Sequence, residues 1–200
     1  MNDPVSRACR LGYPAYHHSG ERRQAAIRYI VLHSTEGDTA LGAAEYLMTP
    51  AAGGSANIVV DDTVCYRLLN DTVIPWGAPP LNTNGFHIEQ AGYAAWTRAE
   101  WFAHTPTIVR AAYKAAVRCR LYKIPARVLD AGALESDFGE LPADNAGGVP
   151  TLPGPMHGGI VTHATVTAAY HQSDHTDPGS AYPIDVFMQH LERFLAGKQL

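Results

Sequence analysis

The residues best suited to chemistry begin with His33. It closes the stretch R-Y-I-V-L-H-S-T, residues 28–35. Alone, it reads as a core histidine satisfied by a neighbour, because a polar imidazole at the end of a buried strand needs a hydrogen-bond partner or a metal. The chain supplies the rest of a metal site at residues 158–179, G-G-I-V-T-H-A-T-V-T-A-A-Y-H-Q-S-D-H-T-D-P-G, with His163, His171, His175, Asp174 and Asp177. Asp177 precedes a proline of fixed φ and a glycine that permits positive φ, so a sharp turn holds its carboxylate in one direction. Zinc takes imidazole nitrogen and carboxylate oxygen, and a catalytic site leaves one position for water. His33, Asp177 and one histidine of this stretch would complete three protein ligands. That histidine is either His163, after the short apolar run I-V-T, or comes from His171 and His175, which share a face if the segment is helical. Glu89 lies in G-F-H-I-E-Q, where Phe86 and Ile88 alternate with His87 and Glu89. On the polar side of that strand it is a candidate general base.

These residues need a scaffold. Tyr29–Leu32 form an uninterrupted, partly β-branched run that predicts a strand covered on both faces. Residues 36–50 predict a helix capped by Asp38 or Thr39, with Leu41, Ala44, Tyr46, Leu47 and Met48 on its apolar face and Pro50 as its stop. Residues 56–60 and 63–69 flank Asp61-Asp62 as a hairpin, and 73–76 could add an edge. The helical pattern begins near Arg98. Residues 107–122 are its clearest part, with Ile108, Ala111, Ala112, Ala115, Ala116 and Cys119 towards the core. Residues 183–195 predict the last helix. Residues 1–26 read as irregular, with His17-His18 in a solvated loop, and the Gly/Pro-rich segment 123–159 reads as a long functional loop. The sum is one α/β domain over residues 1–200, a mixed sheet flanked by helices.

Composition narrows the function classes. The 200 residues carry a net charge of −4 with no basic run, which argues against a nucleic-acid partner. The first ten residues contain no apolar core of a signal peptide, and no stretch is long enough to span a membrane. Three cysteines, Cys9, Cys65 and Cys119, suggest neither a disulfide framework nor a cysteine zinc cluster. The ten histidines are the unusual feature.

Taken together, the sequence resembles the zinc-dependent N-acetylmuramoyl-L-alanine amidases of the type-2 family, which share a fold with peptidoglycan-recognition proteins. I-V-L-H-S-T at 30–35 is similar to the family's first strand and first zinc histidine. G-S-A-N-I-V-V-D at 54–61, with Y-R-L-L after it, resembles its hairpin. N-T-N-G-F-H-I-E at 82–89 resembles the segment with the acidic catalytic residue. T-H at 162–163 and H-T-D-P-G at 175–179 resemble its closing motif. Asn57 stands where the family commonly has histidine, Trp76-Gly77 replaces a common Trp-His pair, and His175 replaces a common lysine.

The resemblance implies zinc on His33, His163 and Asp177, with Glu89 and His175 catalytic. It implies cleavage of the amide between the lactyl group of N-acetylmuramic acid and L-alanine in peptidoglycan. Asn57, Trp76, Asn82 and His87 are the expected substrate-binding residues, although Trp76, Trp96 and Trp101 are mostly candidates for core packing. The expected setting is a monomeric phage endolysin, made in the cytoplasm without a signal peptide and acting on the bacterial wall. The alternatives are a cytoplasmic amidase of recycled muropeptides, a zinc hydrolase of another amide, and a non-catalytic peptidoglycan-binding module of the same fold.

Overall fold

A computed structural model of the chain describes residues 5–139 and 157–198. Its centre is a five-stranded sheet in the order β4-β3-β6-β2-β7. The strands are β2 (Tyr29–Ser34), β3 (Ile58–Val60), β4 (Cys65–Arg67), β6 (Gly85–Gln90) and β7 (Gly159–Thr162). β3, β6, β2 and β7 run parallel, and β4 is the antiparallel edge. All six residues of β2 are buried, as a continuous apolar run in a parallel sheet requires. The described fold is thus mixed α/β.

Alternation along the strands sorts their side chains into separate cores. Ile30, Leu32, Phe86 and Ile88 pack under α3 (Thr105–Tyr122) and α6 (Ile184–Leu195). The six core positions expected on α3 are all buried there. Tyr29, Val31 and Val161 face the other way, against α4 (Ala131–Phe138) and α5 (His163–Tyr170). On that same face Val59 meets α1 (Ala40–Leu47). Asp61 fixes the β3–β4 turn by accepting from the Thr63 and Val64 amides, at 2.8 and 2.9 Å, and it docks α1 by accepting from Ala40 N at 3.0 Å. α2 (Arg98–Ala103) is closed at its start by a Thr97–Glu100 capping box.

Several expectations require correction. Residues 18–21 form β1 (His18–Glu21), which pairs with β5 (Val73–Pro75) in a separate two-stranded sheet. Cys9 and Cys65 form a disulfide, across a sequence separation of 56. The odd cysteine count hides this pair. It forms because Arg10 aligns beside β4, its amide donating to Cys65 O and its carbonyl accepting from Arg67 N. α1 buries Ala40 and Ala44, while Leu41, Tyr46 and Met48 are exposed. Small residues let this helix sit close on the sheet, which turns its larger side chains outward. Within the segment expected as a loop, residues 131–138 are helix α4; residues 140–156 lie outside the described residues.

Candidate metal centre

The site gathers at the carboxyl ends of the parallel strands, the general position for ligand sites in open α/β sheets. His33 is the fifth residue of β2 and pairs in register with Glu89 of β6. Thr162 ends β7 and caps α5, its side chain accepting from Thr165 N, so His163 opens the helix directly beside β2. Asp177 arrives on the loop before α6. Its carbonyl accepts from Ala164 N at 2.9 Å, and the turn closes through Gly179 N to Thr176 O, also 2.9 Å, with Gly179 at φ 89°.

These placements converge. Asp177 Oδ2 lies 3.1 Å from His33 Nδ1, and Oδ1 lies 3.1 Å from His163 Nδ1. The second contact is not aligned as a hydrogen bond, so Oδ1 is a buried acceptor with no aligned donor among the described residues. All three residues are buried, and one potential ligand atom from each falls within 4.8 Å of the others. Burial raises the Asp177 carboxyl's pKa, but the His163 and His33 imidazoles outweigh it and hold the group below the usual aspartate range. Burial, reinforced by the charge of His33 and opposed by Asp177, lowers the His163 pKa. An ionised carboxylate beside a neutral imidazole is the protonation state a metal needs. The donor set therefore fits zinc.

Glu89 and His175 flank this group. Burial, followed by the nearby charges of Asp177 and Glu36, pushes the Glu89 carboxyl well above the usual glutamate range. Its Oε2 is buried with no hydrogen-bond partner among the described residues. The His175 ring stacks on His163 at 4.5 Å between centroids, with its Nδ1 3.5 Å from Asp177 Oδ1. His171 ends α5 in the left-handed conformation, so His171 and His175 do not share a helical face. Neither joins the group of converging ligands.

A cleft of about 660 Å³ opens over the group. Its lining includes His33, Glu89, His163, His175 and Asp177 at one end, and Tyr46, Leu47 and Trp76 along the walls. Trp76 is the exposed tryptophan of the three, whereas Trp101 is fully buried and Trp96 packs against the core. Asn82 also borders the cleft, and its Oδ1 accepts from the Gly77 and Ala78 amides at 3.0 and 2.8 Å. The loop ahead of β6 is fixed by the buried Arg22 guanidinium, which donates to the carbonyls of Asn82, Thr83 and Gly85 at 2.7–2.9 Å.

Two expected substrate contacts lie elsewhere. Asn57 is fully buried; its Oδ1 accepts from His87 N at 2.9 Å, and its Nδ2 donates to Asn70 O at 3.3 Å. His87 is also fully buried, beneath the cleft rather than on its surface. Glycine at 77 makes this possible, since a Cβ there would stand 2.4 Å from His87 Nδ1. Glu36 and Ser173 also belong to the site. Glu36, at φ 51°, accepts from Ser34 Oγ and Ala94 N and lines the cleft. Ser173 Oγ sits 3.4 Å from His163 Nε2. No local pattern marks either residue, since each is brought to the site by a turn.

The sequence and the fold have known relatives. Residues 23–180 match the family model Amidase_2, described as N-acetylmuramoyl-L-alanine amidase. No curated protein matches. Among solved structures, the fold is similar to the Staphylococcus aureus hydrolase AmiA in complex with its ligand, at TM-score 0.66 and 16% identity, covering 96% of this chain and 87% of that one. It is similar to a mutant endolysin from Bacillus subtilis, at TM-score 0.56 and 14% identity, covering 92% and 99%. It also resembles the N-acetylmuramoyl-L-alanine amidase LysC from Clostridium intestinale, at TM-score 0.51 and 12% identity, covering 92% and 99%. With a family match spanning most of its length and all three residues of the candidate metal centre, the chain belongs to the N-acetylmuramoyl-L-alanine amidases, the peptidoglycan amidases of type 2.

Proposed function

We propose that the chain cleaves the lactyl–L-alanine amide of peptidoglycan with zinc held by His33, His163 and Asp177, and that it acts on the bacterial wall as an endolysin. The carrying observation is the convergence of that buried ligand set beside Glu89 in one cleft. Bound there, zinc would supply Lewis acidity to the scissile carbonyl and to the attacking water.

The protein's own groups do the rest. Glu89 takes a proton from the water and passes it to the leaving alanine amine. Its raised proton affinity suits a base that must hold a proton between two steps. His175, exposed at the cleft edge and stacked on His163, donates a hydrogen bond to the oxyanion that develops on the carbonyl. Tyr46 and Trp76 present apolar and aromatic surface along the cleft to the muramyl peptide. The endolysin reading draws on the similarity to the Bacillus subtilis endolysin. Among the described residues, no helix is long and apolar enough to cross a membrane.

The test is a digest of purified peptidoglycan, with and without a chelator. Cleavage at the proposed bond releases new N-terminal alanine and no new reducing sugar ends, and the chelator stops it. New reducing ends, or new amino termini on other residues alone, would overturn the assignment.

A further inference from the structure

Beneath the cleft, His87 occupies a slot shaped around its ring. It is fully buried on β6, two residue pairs before the His33–Glu89 pair and so on the same face of the sheet. A Cβ on Gly77 would fall 2.4 Å from its Nδ1, and one on Gly85 would fall 2.6 Å from its Nε2, so glycine is required on both sides. The Asn57 side chain and backbone hold the strand at this point, through His87 N and His87 O. A buried imidazole is costly unless its nitrogens are used. Here Nδ1 lies 3.0 Å from His33 Nε2, the ring nitrogen of His33 that faces away from Asp177.

Two ring nitrogens at that distance share one proton. If His87 donated it, neutral His33 would carry its own proton on Nδ1, the nitrogen needed for a metal. If His33 donates it, Nδ1 needs no proton of its own and is free for a metal once its 3.1 Å contact to Asp177 Oδ2 is opened. The His87 proton then sits on Nε2, which is buried on the side of the Leu81 carbonyl with no aligned hydrogen-bond partner among the described residues.

We infer that His87 is a positioning residue for the metal centre: it accepts the Nε2–H of His33 and so fixes the ring orientation and the tautomer that leave His33 Nδ1 free for zinc. This rests on reading His33 as a ligand. Partners of this kind are worth roughly 10–100-fold in metal affinity.

The experiment compares zinc affinity, by chelator competition, in the wild type, His87→Leu and His87→Asn. Leucine fills the slot without an acceptor, and asparagine places an oxygen near the Nδ1 position. His87→Leu should bind zinc about 10–100-fold more weakly, and His87→Asn should recover most of that loss. Equal affinity in His87→Leu and wild type, or equal losses in both variants, overturns the inference. Nitrogen-15 spectra of the zinc-loaded wild type test the same point without any variant. They should show His33 protonated at Nε2, and an unprotonated Nε2 overturns it. A wild type that binds no zinc at His33 defeats the metal centre itself, and this inference with it.

Discussion

His33 and Glu89 face each other in register across two neighbouring parallel strands, β2 and β6. Paired residues of adjacent strands sit about 4.8 Å apart and point to the same side of the sheet. The pairing thus places a candidate ligand and a candidate base at the floor of one cleft. Glu89→Gln keeps the size of the side chain and removes its basicity. The variant should fold and bind zinc normally, and should lose roughly 10²–10⁴ in turnover. Metal content together with the rate on peptidoglycan checks this. A near-normal rate would remove Glu89 from the chemistry.

His163 and His175 stack on each other but have different surroundings. His163 is buried and joins the converging ligands; His175 is largely exposed. His163→Ala should lose zinc and activity together. His175→Ala should keep zinc and lose roughly 10²–10³ in rate, as for one oxyanion donor, and His175→Lys should recover part of it. Zinc measured on the two alanine variants decides the assignment. Retention in His163→Ala with loss in His175→Ala would exchange their roles.

The Cys9–Cys65 bridge ties the N-terminal segment to the edge strand β4 and closes a loop of 56 residues in sequence separation. A cross-link over such a span typically contributes about 2–4 kcal/mol, through the restricted unfolded chain. Cys9→Ala should unfold at correspondingly lower urea, and reductant should bring the wild type to the same midpoint. A wild-type midpoint unmoved by reductant, with the thiols shown to be free, would contradict the contribution.

Asp137 of α4 accepts from Tyr29 Oη, Gly158 N and His157 N at 2.8, 2.8 and 3.2 Å, and pairs with Arg127 at 2.6 Å. Burial raises its carboxyl, but the Gly158, Tyr29, His157 and Arg127 contacts outweigh that and hold its pKa below the usual aspartate value. A lowered folded-state pKa gives stability that is present above the unfolded value of about 3.9 and is lost as pH falls through the folded value. Asp137→Asn should therefore cost about 1–3 kcal/mol at neutral pH, and the gap to wild type should narrow in acid. Urea midpoints at neutral and acid pH test this, and a constant gap would contradict it.

Much of the site was legible because strand alternation and motif order carry it. The run before His33 marked β2, and the G-F-H-I-E alternation put His87 and Glu89 on one side. Alternation gives the side a residue faces, not whether that side is wet. Alternation therefore makes His87 a groove residue, whereas Gly77 and Gly85 let it sink beneath the cleft. The buried face of α1 departs from its apolar spacing for a related reason. Apolar spacing pointed to Leu41, Tyr46 and Met48, but close approach to the sheet selected Ala40 and Ala44. The disulfide depends on Arg10 pairing beside β4, a long-range contact with no local signature.

In the proposed mechanism, amide cleavage depends on one zinc held by His33, His163 and Asp177. The most direct measurement strips the protein of metal and follows release of N-terminal alanine from peptidoglycan as zinc is returned in steps. Activity should be absent at the start, rise with bound zinc, and level off at about one equivalent per chain, as expected of a three-ligand catalytic site. Full activity in protein shown to be free of metal would contradict it.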